Sequence, residues 1–132
     1  MSDLKQARAL LEAAERDYSA LRGMGDTTIF ADEIFGFHTE QAVEKLLKAL
    51  LALLGQTYPA THDLVRLMDM LKAHDVETAR FDELVEYTPY AVQFRYGASD
   101  PGTMPLDRNT AVQRVETLLE EVRRRVEDME RP

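Results

Sequence analysis

From Leu4 onward, the apolar residues Ala7, Leu11, Ala14, Tyr18 and Leu21 follow in steps of 3, 4, 3, 4 and 3. That spacing gathers side chains on one helical face, so it predicts an amphipathic helix over residues 3–22. Ser2 or Asp3 can cap it and Gly23 can end it. A second helix is predicted over residues 28–54. Val43, Leu46, Leu50 and Leu53 form its seam, which Leu47, Leu51 and Leu54 widen, so this helix should be central. Gly36 either weakens it or lets a neighbour approach, and Gly55 suits the C′ position. A short third helix over residues 61–74 is read from Leu64, Leu67, Met68 and Leu71, with Thr61 as N-cap and Asp63 in its first turn. A fourth segment begins near Asp82, and Pro89 should kink or break it. The stretch 97–102 reads as a loop. Val112, Val115, Leu119, Val122, Val126 and Met129 repeat the 3, 4, 3, 4, 3 rhythm and predict a long helix over residues 106–129. Arg123, Arg124 and Arg125 fall in its last turns, where cations complement the helix dipole. No stretch alternates with period two, so the expected fold is an all-α, up-and-down bundle of four to five helices in one domain, residues 1–132.

Composition changes this picture mainly by exclusion. The chain has 132 residues, 16 basic and 24 acidic, for a net charge of −8. That balance opposes unaided nucleic-acid binding, which needs basic residues to neutralise phosphates. The absence of Cys removes disulfides, thiolate zinc sites and thiol nucleophiles, and fits a cytoplasmic protein. No apolar run approaches the roughly 18 residues of a membrane span. Met1-Ser2-Asp3-Leu4 opens straight into helix-like sequence, so no signal peptide is expected. Three residues before His38, His62 and His74 stand Phe35, Pro59 and Leu71, so the Glu-x-x-His pattern of di-metal bundles is missing and no metal or other cofactor is expected. No P-loop, dinucleotide fingerprint or nucleophile elbow occurs.

The candidate chemistry lies on the second helix. His38, Gln41, Lys45 and Lys48 fall within about 80° of one another at helical spacing. Ala49 and Ala52 beside them have little bulk, so the stripe reads as a shallow groove with donors and acceptors, or as a plain solvated face. His62 and Asp63 stand at a helix start, which is either an anion site or an N-cap. Arg95 and Tyr96 close the fourth segment, as a phosphate clamp or as a terminal cation beside a packing aromatic.

The run from Phe37 to Leu51, with its aromatic-His pair, Gln41-Ala42, Glu44-Lys45 and Lys48-Ala49-Leu50, resembles the central helix of HEPN domains. The connection Pro59-Ala60-Thr61-His62-Asp63-Leu64 resembles that family's Pro-x-Thr-His-Asp-Leu, and Arg95-Tyr96-Gly97 its Arg-Tyr-Pro. The resemblance implies a four- to five-helix bundle that forms homodimers. It also implies pairing with a small nucleotidyltransferase (MNT) as toxin and antitoxin. Active members are metal-independent endoribonucleases that use an Arg followed after four to six residues by a His. Here none of the three His residues stands at that distance behind an Arg; the nearest case, Arg66 and His74, is one position too far. General acid–base cleavage needs a positioned proton carrier, so the catalytic motif is absent and no catalytic residue is expected. The resulting expectation is a non-catalytic nucleotide- or partner-binding component. A ribonuclease toxin with a non-standard site and a purely structural helical dimer stand as alternatives.

Overall fold

A computed structural model describes residues 2–91 and 106–131. The elements described in full are α1 (Leu4–Gly23), α2 (Asp32–Leu53), α3 (Leu64–Ala73), a 3₁₀ segment (Asp82–Tyr87) and α4 (Arg108–Glu130). There is no strand among the described residues. The all-helical expectation therefore holds, and a single hydrophobic cluster draws residues from every element.

The seams explain the core. Ala7, Leu11, Ala14 and Leu21 of α1 are buried, as are Leu64, Leu67, Met68 and Leu71 of α3 and Val115, Leu119, Val122 and Val126 of α4. α2 is central as expected: it packs against α1, α3, the 3₁₀ segment and α4. Its helix ends in a Schellman motif. Gly55, at φ 72°, directs its N–H to the Ala52 carbonyl, and Gln56 directs its own to Leu51. The Ala52 carbonyl also accepts the Asp3 N–H, so α1 starts beside the end of α2 and runs antiparallel to it. α4 runs antiparallel to α1 as well, since Arg123 meets Glu15 and Arg8 meets Glu130.

Four local expectations need correction. α2 begins at Asp32, four residues later than the periodicity implied. Asp26 holds the preceding turn, accepting from the Thr28 N–H and hydroxyl at 2.8 and 2.6 Å. Arg108 then latches the connection from a distance. Its guanidinium donates to the Met24 and Phe30 carbonyls and to Asp32, and stacks 5.1 Å from the Phe35 ring centre. The N-cap of α3 is Asp63, not Thr61: its carboxylate accepts from the Val65 and Arg66 N–H groups. Asp82–Tyr87 winds as a 3₁₀ helix, and Pro89 lies just past its end, where its missing N–H and its ring oppose continuation as an α-helix. Finally, α4 continues to Glu130, so its arginine triplet lies short of the last turn. Those arginines pair with carboxylates instead: Arg123 with Glu15, and Arg124 and Arg125 with the nearly buried Glu121.

Gly36 serves close approach. A Cβ built there would overlap the ring of Tyr90, so the missing side chain admits that ring against α2. No helix among the described residues is long and apolar enough to cross a membrane.

Candidate functional site

The polar stripe of α2 divides between two carboxylate centres. Asp17, carried on α1, faces the first. Lys45 Nζ donates to its Oδ2 at 2.6 Å and His38 Nδ1 lies 3.3 Å from its Oδ1. His38 and Lys45 are seven residues, or about two turns, apart, and the antiparallel α1 sets Asp17 between them. Their side chains remain 31% and 30% exposed, so this centre meets solvent along one edge.

Glu44 forms the second centre, and its side chain is only 6% exposed. It accepts from Gln41 Nε2 at 3.1 Å, Lys48 Nζ at 2.7 Å and a ring nitrogen, His62 Nδ1, at 3.0 Å. Thus Gln41, Lys48 and His62 do come together, around a residue outside the predicted set. The α2–α3 connection carries His62 back across eighteen positions of sequence to reach it. Lys48 also lies 5.7 Å from the centre of the Tyr58 ring, whose hydroxyl accepts from Gln6 of α1.

Glu40 lies one helical turn before Glu44 and is fully buried. Its Oε2 accepts from Gln41 at 3.0 Å, while its Oε1 has no hydrogen-bond partner. Burial, and then the hydrogen bond and charge of Glu44, push the Glu40 carboxyl up to about 9. Burial alone would raise Glu44 too. Hydrogen bonds from Glu40, Lys48 and His62 outweigh it and hold Glu44 below the ordinary carboxylate range. The pair is thus one acid and one carboxylate at neutral pH, which is how two adjacent carboxyl groups avoid burying two charges.

One oxygen from each of Glu40 and Glu44 and one nitrogen of His62 lie within 4.8 Å of one another, a group that could hold a metal ion. The Glu-x-x-His test missed it, because these ligands converge by folding rather than along one helix. Glu40 was legible in principle. It lies three, seven and eleven positions before Val43, Leu47 and Leu51, in register with the buried arc. Asp17 offered no such signal.

The remaining predicted residues fare differently. Asp63 caps the α3 start, its carboxylate accepting from the Val65 and Arg66 N–H groups. Ala49 and Ala52 do not floor an open groove; both are buried, because their small size allows tight packing of α2. Arg95 and Tyr96 lie outside the described residues.

The family profile described as the HEPN domain matches residues 2–128. The chain belongs to the HEPN family. No curated protein matches it, and neither does any solved structure. In this HEPN chain, the fold places the Gln41, Glu44, Lys48 and His62 cluster where the central helix meets the following connection.

Proposed function

We propose that this HEPN protein is a non-catalytic component that binds a nucleotide or a partner protein and acts beside a small nucleotidyltransferase. One observation supports the reading: each histidine already has a local role within the chain. His38 sits against Asp17, His62 against Glu44, and His74 caps the end of α3. Among the described residues, the part-exposed side chains of His38 and Lys45 at the Asp17 centre, and the exposed His62 at Glu44, support recognition of a ligand or partner. Lys45 supplies a point charge there for a phosphate or for a partner's carboxylate.

Calorimetry and thermal melts with ATP, GTP and oligoadenylates test the nucleotide form. A ligand at 100 times its Kd should add about 2.7 kcal/mol of stability, and Lys45→Ala should abolish the effect. No shift at millimolar nucleotide, together with no complex on co-expression with a nucleotidyltransferase, would sink the proposal. Metal-free RNA cleavage that disappears in Arg95→Ala would replace it with the ribonuclease reading.

A homodimer belongs to the same proposal, and it rests on the family. The leucine arc of α2 is largely covered by the chain itself. Ile29, Val65 and Met129, the large apolar side chains exposed among the described residues, sit on three separate segments. Sedimentation at micromolar concentration should show the dimer; a monomer alone would remove it.

A further inference from the structure

We propose that Glu40, Glu44 and His62 form a binding site for one divalent transition-metal ion, of the zinc or manganese class. The first support is the donor set. Two carboxyl groups, of which Glu40 releases its proton when the ion binds, and one imidazole suit Zn²⁺, Mn²⁺ or Fe²⁺ and offer no soft ligand that would favour Cu⁺. The second is the geometry. One donor atom from each residue lies within 4.8 Å of the others, and His62 Nδ1 is 3.0 Å from Glu44 Oε2. Around a tetrahedral zinc with bonds near 2.1 Å, neighbouring donors stand about 3.4 Å apart. The cluster reaches that spacing by rotamer adjustment of about an ångström. The third is independent of the acidic character of the cluster: fully buried Glu40 brings a carboxyl oxygen, Oε1, with no hydrogen-bond partner. A buried oxygen left unsatisfied is costly, and an ion ligated through Oε1 would remove that deficit.

The neighbours are compatible with an ion. Lys48 bonds Glu44 through Oε1, which leaves Oε2 for the metal. Lys48 then acts as an outer partner that orients the ligating carboxylate. Gln41 Nε2, which bridges Oε2 of Glu40 and of Glu44, must give way, and it is only part-buried. The His62 side chain is 56% exposed, which opens a path for the ion and for water. Three protein ligands leave a coordination position free, as in metal sites that bind water or an exchangeable ligand.

This proposal stands apart from nucleotide or partner binding, because the probe is the metal alone. The full chain is stripped with EDTA, dialysed, and titrated with ZnCl₂ and with MnCl₂ by calorimetry, with MgCl₂ as the hard-cation control. The expected result is one saturable site per chain for zinc or manganese, reversed by EDTA. Loss of a single ligand should cost at least the roughly 10- to 100-fold that outer partners are worth. Glu40→Gln and His62→Ala should both show that loss. His62 is exposed and Glu40→Gln keeps the side-chain shape, so both variants should fold, as their circular dichroism will report. Glu15→Gln, at the Arg123 ion pair away from both centres, should bind metal as the parent does. Saturable binding retained in both ligand variants would place the ion elsewhere and overturn the assignment. So would the absence of saturable heat for zinc and manganese at about 100 µM.

Discussion

Glu40 is a carboxyl group held away from water beside a second carboxyl group, and its proton is the economical answer to that position. Its pKa is shifted up to about 9 by burial and by Glu44. Raising a folded-state value above the unfolded one stabilises the fold fully below the unfolded value, and the gain is lost as pH rises through the folded one. The groups facing it are Glu44, Lys48, His62 and the Gln41 amide. In the metal-free protein, stability should therefore fall between about pH 5 and pH 9, and Glu40→Gln should flatten the fall. Melts across that range check this; parallel curves for parent and variant would contradict it. Gly36 gives a second residue-scale test. Helix propensity alone predicts that Gly36→Ala gains about 1 kcal/mol. The Tyr90 ring occupies the space of the new methyl, so a net loss of about 1–3 kcal/mol is expected instead. In a Tyr90→Ala background the same change should become neutral or stabilising. The sequence offered both outcomes for Gly36; only the tertiary position of Tyr90 decides between them.

At the scale of elements, the helices were legible because their signal is local. Six residues in 3–4 rhythm define α1 or α4 without reference to anything else in the chain. The misplaced boundaries have the opposite origin. The α2 start depends on Arg108, 76 positions away from its partner Asp32, and no short-range pattern contains that information. The same reason kept Asp17 out of the expected site. A charged residue on a helix surface has many conceivable partners, and packing of α1 on α2 selects His38 and Lys45. Pro89 announced an interruption but not a 3₁₀ winding. The end of α3 yields an element-scale prediction. Asp75 occupies the C′ position at φ 62°, with its N–H on Lys72 and that of Val76 on Leu71. The left-handed region is strained for a residue with a Cβ. Asp75→Gly should therefore stabilise the protein by about 0.5–1 kcal/mol, read as a higher denaturant midpoint at unchanged slope.

For the whole molecule, α2 is the shared wall, so damage to it should not remain local. Leu50 is nearly fully buried, and Leu50→Ala should cost about 2–5 kcal/mol. The loss should appear in one cooperative unfolding transition rather than as a separate early step. A negligible cost would remove α2 from the centre. The Arg108 latch has a further consequence, for the order in which the chain assembles. During synthesis α1 and α2 emerge first and can pair, but the turn joining them waits for a guanidinium that lies 78 and 84 residues beyond two of the carbonyls it binds. Until that residue arrives, the Met24 and Phe30 carbonyls face water. Closing so long a loop costs entropy that only α4 docking offsets. Amide exchange in residues 24–31 should therefore follow the opening of α4, although α1 and α2 are their neighbours in the chain. A ribosome-bound fragment ending before residue 108 should hold two paired helices and an unfastened hinge.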